Sequence, residues 1–173
     1  MIKTGQLWAL VVVGVAISSS AMPAQDSATA EKSHALHIDV PVKIEQANIV
    51  VDIGHAIFVG DMPFVFGDLG ILAKSYSDGS TKGHLVAVLH GDAAYFVLNN
   101  DTYNTNRHVR TGNPFEKIIS GLIKQGVQIE LCGATAQANQ WGNADLISGV
   151  KVDTDAMVRV TQLEQEGYTL IYE

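Results

Sequence analysis

Cysteine is almost absent from this chain: Cys132 is the only one in 173 residues. A single thiol closes no disulfide within its own chain, so the covalent staple of many small extracellular folds is missing. It also excludes a Cys-x-x-Cys dithiol, and no set of Cys, His and carboxylate ligands stands at the short spacing a zinc site uses. Basic residues are scarce as well. Eleven Lys and Arg stand against 18 Asp and Glu, for a formal net charge of -7, and the basic residues are scattered. That distribution argues against a nucleic-acid surface and against docking on an anionic membrane. Also missing are a Gly-x-Gly-x-x-Gly turn after a strand, a Gly-Lys-Ser/Thr phosphate loop and a Gly-x-Ser-x-Gly elbow. No nucleotide cofactor, no metal and no hydrolase nucleophile is therefore expected.

The one long apolar run is short by membrane standards. Leu7 to Ile17 holds 11 residues, behind Lys3 and ahead of Ser18-Ser19-Ser20-Ala21. This order, positive start, apolar middle and small-residue end, predicts a secretory signal peptide over residues 1–21, with Ala24 as a second cleavage position. The competing reading, an uncleaved membrane anchor, needs a longer apolar span. The expected location is the periplasm or outside the cell, with no membrane attachment after cleavage. Residues 22–43 read as a flexible linker or arm, and residues 44–173 as one α/β domain. His34 and His37 lie in the arm, either as solvated side chains or as a metal pair lacking a third ligand.

What is present in the domain is alternation. Hydrophobic residues make up 47% of the chain, enough for a sizeable core. Ala47 to Ile53, His84 to His90, Val127 to Leu131, Val150 to Val152 and Tyr168 to Tyr172 read as strands, mostly continuous and apolar. Between them, helices are expected over Pro63 to Tyr76, from Asn113-Pro114 to about Gln125, and from the cap Asp155 to Glu166. Phe64, Leu69, Leu72, Ala73 and Tyr76 supply the buried stripe of the first. Ile118, Ile119, Leu122 and Ile123 supply that of the second, and Met157, Val158, Val160 and Leu163 that of the third. Asp61 is a plausible cap for the first helix. A helical turn is expected over Ala93 to Leu98, a loop over Asn99 to Gly112, and a weak helix around Ala136 to Trp141. The pattern predicts a mainly parallel sheet of about five strands with helices on both faces.

In such sheets, ligands and catalysis gather beyond the carboxyl ends of the strands. His55, His90, Asp92 and Cys132 all fall there. Cys132 ends an apolar strand and precedes a helix-compatible stretch, and helix N-termini favour thiolate over thiol. Two readings stand: a reactive sulfur site, with His90 as charge or proton partner, or a small apolar residue that is merely structural. Asp92 is likewise either a cap or a site residue. Arg107, His108 and Arg110 form the one local basic cluster, as an anion receiver, a subunit contact or a solvated loop.

The carboxyl-terminal part also resembles the DsrE/DsrF-like family of small sulfur-relay proteins, especially its secreted branch. The resemblance is carried by Gly112-Asn113-Pro114, Leu122-Ile123-Lys124-Gln125-Gly126-Val127 and Leu131-Cys132-Gly133. It continues through Asp145-Leu146-Ile147, Gly149-Val150-Lys151-Val152 and Gln165-Glu166-Gly167-Tyr168. The resemblance implies a flavodoxin-like three-layer sandwich that assembles into trimers or hexamers. No cofactor is expected. For Cys132 the resemblance implies a persulfide-carrying role, with a thiol or sulfur-donor protein as partner. The non-enzymatic alternative is an oligomeric binding or accessory module with a structural cysteine.

Overall fold

The strands form because their residues are β-branched and apolar on both faces, which suits a sheet covered on each side. A computed structural model describes residues 36–173. The expected signal peptide, its cleavage site and His34 lie outside the described residues. Residues 36–40 belong to a separate unit and are exposed. There His37 Nε2 stands 3.5 Å from Asp39 Oδ1.

Within residues 41–173, five strands make one parallel sheet. They are β1 (Ile49–Ile53), β4 (Leu85–Leu89), β5 (Gln128–Leu131), β6 (Lys151–Val152) and β7 (Thr169–Tyr172), in the order β6-β5-β4-β1-β7. A two-stranded hairpin, β2 (Phe58–Val59) with β3 (Met62–Pro63), precedes the first helix. The helices are α1 (Phe64–Ser77), α2 (Asn100–Arg107), α3 (Glu116–Lys124), α4 (Gly133–Ala138) and α5 (Ala156–Gln165), and 3-10 turns cover Gly91–Val97 and Asn143–Asp145. The expected sheet of five parallel strands flanked by helices is what the chain adopts.

Strand alternation divides the core between the two faces. Ile49, Val51 and Ile53 of β1, Leu85, Ala87 and Leu89 of β4, and Ile129 and Leu131 of β5 share a large cluster with α1 and α3. Phe66, Phe96 and Phe115 are its centre, with edge-on or tilted contacts at centroid distances of 4.8 to 6.2 Å. The alternate residues Val50, Val86 and Val88 face the other way and pack with Cys132 against Ala156, Val160 and Leu163 of α5.

Several local expectations are corrected. Asp61 does not cap α1; it sits in the turn of the hairpin, and Pro63, paired with Phe58, is the residue before the helix. In α1, Val65 and Phe66 are buried and Phe64 is exposed. In α5, Val160 and Leu163 point inward as expected, joined by Ala156, whereas Met157 and Val158 are exposed. Positions 156, 160 and 163 follow the helical repeat, and 157 and 158 rotate away from that stripe. The stretch from Asn99 to Gly112 is no loop. Asn99 caps α2 by accepting from Thr102 N–H at 2.9 Å, and His108 ends it at φ 55°. The side chains of Asn100 and Asn104 accept the amides of Asn113 and Gly112 at 2.7 and 2.8 Å. Polar residues thus tie the helix to the segment that follows it, which hides it from a hydrophobicity reading.

Candidate thiol site at the strand ends

Cys132 is reached by building outward from β5. Its amide donates to the Leu89 carbonyl of β4 at 2.9 Å, extending the ladder by one residue. It is then the residue before α4, accepting from Ala136 N–H at 2.9 Å. Because Leu131 faces the aromatic side, the Cys132 side chain faces α5. It is 4% exposed and lies among Val50, Val86, Val88, Ala156, Val160 and Leu163. Among the described residues, the N–H of Ala156 donates to Sγ at 3.3 Å.

Ala156 opens α5, and the first amides of a helix have no partner within it. Here they are shared out. Ala156 gives its proton to the sulfur, while Asp155 Oδ1 accepts from Met157 and Val158 at 3.0 and 3.3 Å. The Asp155 cap expected from sequence therefore also holds the donor that points at Cys132.

The connection from β6 into α5 presses against the start of α4. A Cβ on Gly133 would lie 2.3 Å from the Asp153 carbonyl oxygen and 3.0 Å from that of Thr154, so only glycine fits. Gly133 N–H reaches Asp153 Oδ1 at a long 3.4 Å, and the other oxygen of that carboxyl is buried without a hydrogen-bond partner. Burial pushes the Asp153 carboxyl up to about 6, reinforced by the negative charges of Glu130 and Asp155 and opposed by Gly133 N–H and Arg159.

Glu130 is buried at 3% exposure and bound by Arg159 of α5 in a forked pair, Nε to Oε2 at 2.9 Å and Nη2 to Oε1 at 3.0 Å. Gln128 also donates to Glu130, and Lys151 Nζ donates to Gln128 Oε1 at 2.7 Å. These groups border an open cavity of about 390 Å³ that Asp153 and Thr154 also line. The buried carboxylate is paired on two oxygens, the arrangement that makes burial of a charge tolerable.

His90 lies beside Cys132 in the register, since Leu89 pairs with Leu131. Its Nε2 is 2.9 Å from Asp52 Oδ1 of β1, and its ring closes over Gly54, where a Cβ would meet Cε1 at 2.9 Å. The hydrogen bond of His90 thus goes to Asp52 and that of Cys132 comes from Ala156. His55 is exposed. Asp92 makes no side-chain cap; its amide donates to the Gly54 carbonyl at 3.1 Å. Arg107 lies over the Tyr95 ring, 4.3 Å from its centroid. Among the described residues, no group of three or more His, Cys, Asp or Glu is arranged to hold a metal ion.

Sequence reasoning missed Asp52, Glu130 and Asp153. The first two carried a signal: a charged residue inside an otherwise apolar strand must find a partner when buried. Asp153 carried none, because its setting is created by the approach of Gly133.

The model of the DsrE/DsrF-like family matches residues 69–172. Among solved structures, the chain is similar to the MTH1491 protein of unknown function from Methanobacterium thermoautotrophicum. The two are 18% identical, with a TM-score of 0.54, over 75% of this chain and 99% of that one. The ychN protein from E. coli is similar too, at 18% identity and a TM-score of 0.52, over 73% of this chain and 99% of that one. These likenesses show the shared α/β fold. No curated protein matches the chain.

Proposed function

The chain belongs to the DsrE/DsrF-like family, and from that premise we propose that it is an exported carrier of sulfane sulfur that holds the atom as a persulfide on Cys132. The observation that supports this most is the N–H of Ala156, aimed at Sγ from the first turn of α5. A helix start is a favourable place for negative charge, which a sulfur nucleophile bears before attack and a persulfide bears after it. In the step, the Cys132 thiolate attacks a sulfane sulfur of a hydropolysulfide. A new S–S bond forms as the donor's S–S bond breaks, and the shorter polysulfide leaves with the electron pair. Transfer to an acceptor thiolate is the same exchange in reverse order, so no external oxidant or reductant enters. His90, next to Cys132 in the register and held by Asp52, is the proposed charge or proton partner.

The 4% exposure of Cys132 favours a second reading, a binding or accessory module whose cysteine is a core residue. One experiment separates them. The folded protein is treated with polysulfide and weighed intact, beside Cys132→Ser. Sulfur added to wild type alone supports the carrier; no addition, or equal addition to both, ends it. Alkylation of Cys132 only after unfolding would leave the core reading.

A further inference from the structure

Five residues just ahead of β1 repeat at a strand's period. Leu36, Ile38, Val40, Val42 and Ile44 are apolar, and His37, Asp39 and Lys43 between them are polar, with Pro41 the one exception. That is the pattern of a half-buried strand. Yet the five apolar side chains are 51 to 85% exposed, and the segment belongs to no strand. A segment with this pattern and no sheet partner among the described residues has the sequence of a strand that pairs elsewhere.

Pro41 says which edge that partner takes. In a strand, alternate residues present their N–H and C=O to opposite edges. The odd-numbered edge of this segment lacks an amide at Pro41, so it pairs poorly and blocks further growth. The even-numbered edge keeps every N–H from Ile38 to Ile44.

The sheet offers a matching edge at β7. Thr169 N–H and Glu173 N–H donate inward to Asn48 and Asp52 of the β1 side at 2.8 and 2.9 Å. Leu170 and Tyr172 therefore turn their backbone groups outward, and among the described residues β7 is the end of the sheet. Their side chains stand level with Val50 and Asp52 on the α5 face, and both are exposed. The opposite end, β6, has only two residues.

The segment does not start from the right side to serve its own β7. Glu45 and Ala47 exchange backbone hydrogen bonds with Lys82 at 2.9 Å, and Thr81 Oγ1 donates to the Ile44 carbonyl at 2.8 Å. Thr81 and Lys82 lead into β4, which flanks β1 on the side away from β7. Ile44 therefore lies on the β4 side of β1, with β1 between it and its own β7. The segment's nine residues extend roughly 30 Å, enough to reach a neighbour.

We propose that residues 36–44 of one copy add as an edge strand outside β7 of a second copy, seating their apolar side chains beside Leu170 and Tyr172. This proposal is independent of the chemistry of Cys132. The test uses full-length chains in the Cys132→Ser background, so that each carries one engineered thiol. One chain has Val42→Cys or Val40→Cys, the other Tyr172→Cys, all at exposed positions. Mixed and mildly oxidised, the two kinds of chain should form disulfide heterodimers well above the level given by Ile71→Cys, an exposed site on α1. Heterodimers no more abundant than that control overturn the proposal. A bond formed only within a chain carrying both Val42→Cys and Tyr172→Cys overturns it as well. In parallel, Val40→Lys with Val42→Lys should lower the sedimentation coefficient without changing the circular dichroism; sedimentation equal to wild type tells against the exchange.

Discussion

The two faces of the sheet are covered very differently. Among the described residues, one carries α1, α3, the aromatic group around Phe96 and a cluster of 25 buried residues; the other carries α5 and a cluster of seven, Cys132 among them. The thick face is almost wholly apolar, and its energy comes from area removed from water and close packing. The thin face mixes valines with Asp52, His90, Glu130, Arg159 and Asp153, and each polar group has to be matched within a few ångströms. Substitutions on the first face therefore act on the whole fold, while those on the second act on local opening, protonation and access to sulfur.

The largest effect is expected from Phe96→Ala. Phe96 is fully buried and touches Phe58, Phe66, Tyr95 and Phe115. Its truncation should cost about 3–5 kcal/mol, read as a lower urea midpoint. The alkylation rate of Cys132 without denaturant should stay near wild type; a large rise would mean that the faces do not act separately. A smaller effect is expected from Asp155→Ala, which removes the acceptor for Met157 and Val158 N–H. The loss should be about 1 kcal/mol. The start of α5 would fray with it, so alkylation of Cys132 should speed up severalfold. An unchanged rate would show that α5 does not gate the thiol.

The smallest effect, and the one with a pH signature, belongs to Asp153→Asn. The folded carboxyl is raised from 3.8 to about 6, chiefly by burial. The native state then holds a proton that the unfolded chain releases, so this group's contribution to stability falls as pH rises from about 3.8 to 6. An amide stays neutral throughout. The variant should gain on wild type above pH 6, by under about 1 kcal/mol once solvent screening is allowed for, and should lose that advantage below about 3.8. Thermal melting across that range reads it directly, and an advantage that is constant with pH would reject the assignment.

Much of this fold was legible from residue types. The runs Ile49 to Ile53, Leu85 to Leu89 and Gln128 to Leu131 announce themselves, because strands buried on both faces need apolar side chains at successive positions. Asp155 was legible as a cap for the same local reason. The helix from Asn100 to Arg107 was not, since its stability lies in hydrogen bonds accepted by the side chains of Asn99, Asn100 and Asn104 and in the one Thr102 donates to Asp145. The hairpin at Phe58 was hidden because its strands are two residues long. At the site, Cys132 stood out by type and position, but its partner could not be read. An N–H 24 residues away meets the sulfur only because β5, β6 and α5 are stacked as they are.

By itself the sequence determined one thiol, an acidic chain, five apolar strands alternating with helices, and the two-residue repeat ahead of β1. These are properties of composition and of neighbours along the chain. Tertiary structure alone decided which face Cys132 joins, that His90 meets Asp52, and that Asp153 is held against Gly133. Alternation fixes the parity of side chains within a strand, but which helix covers which face is a property of the packed sheet. Contacts between residues far apart in the chain exist only after that packing is complete.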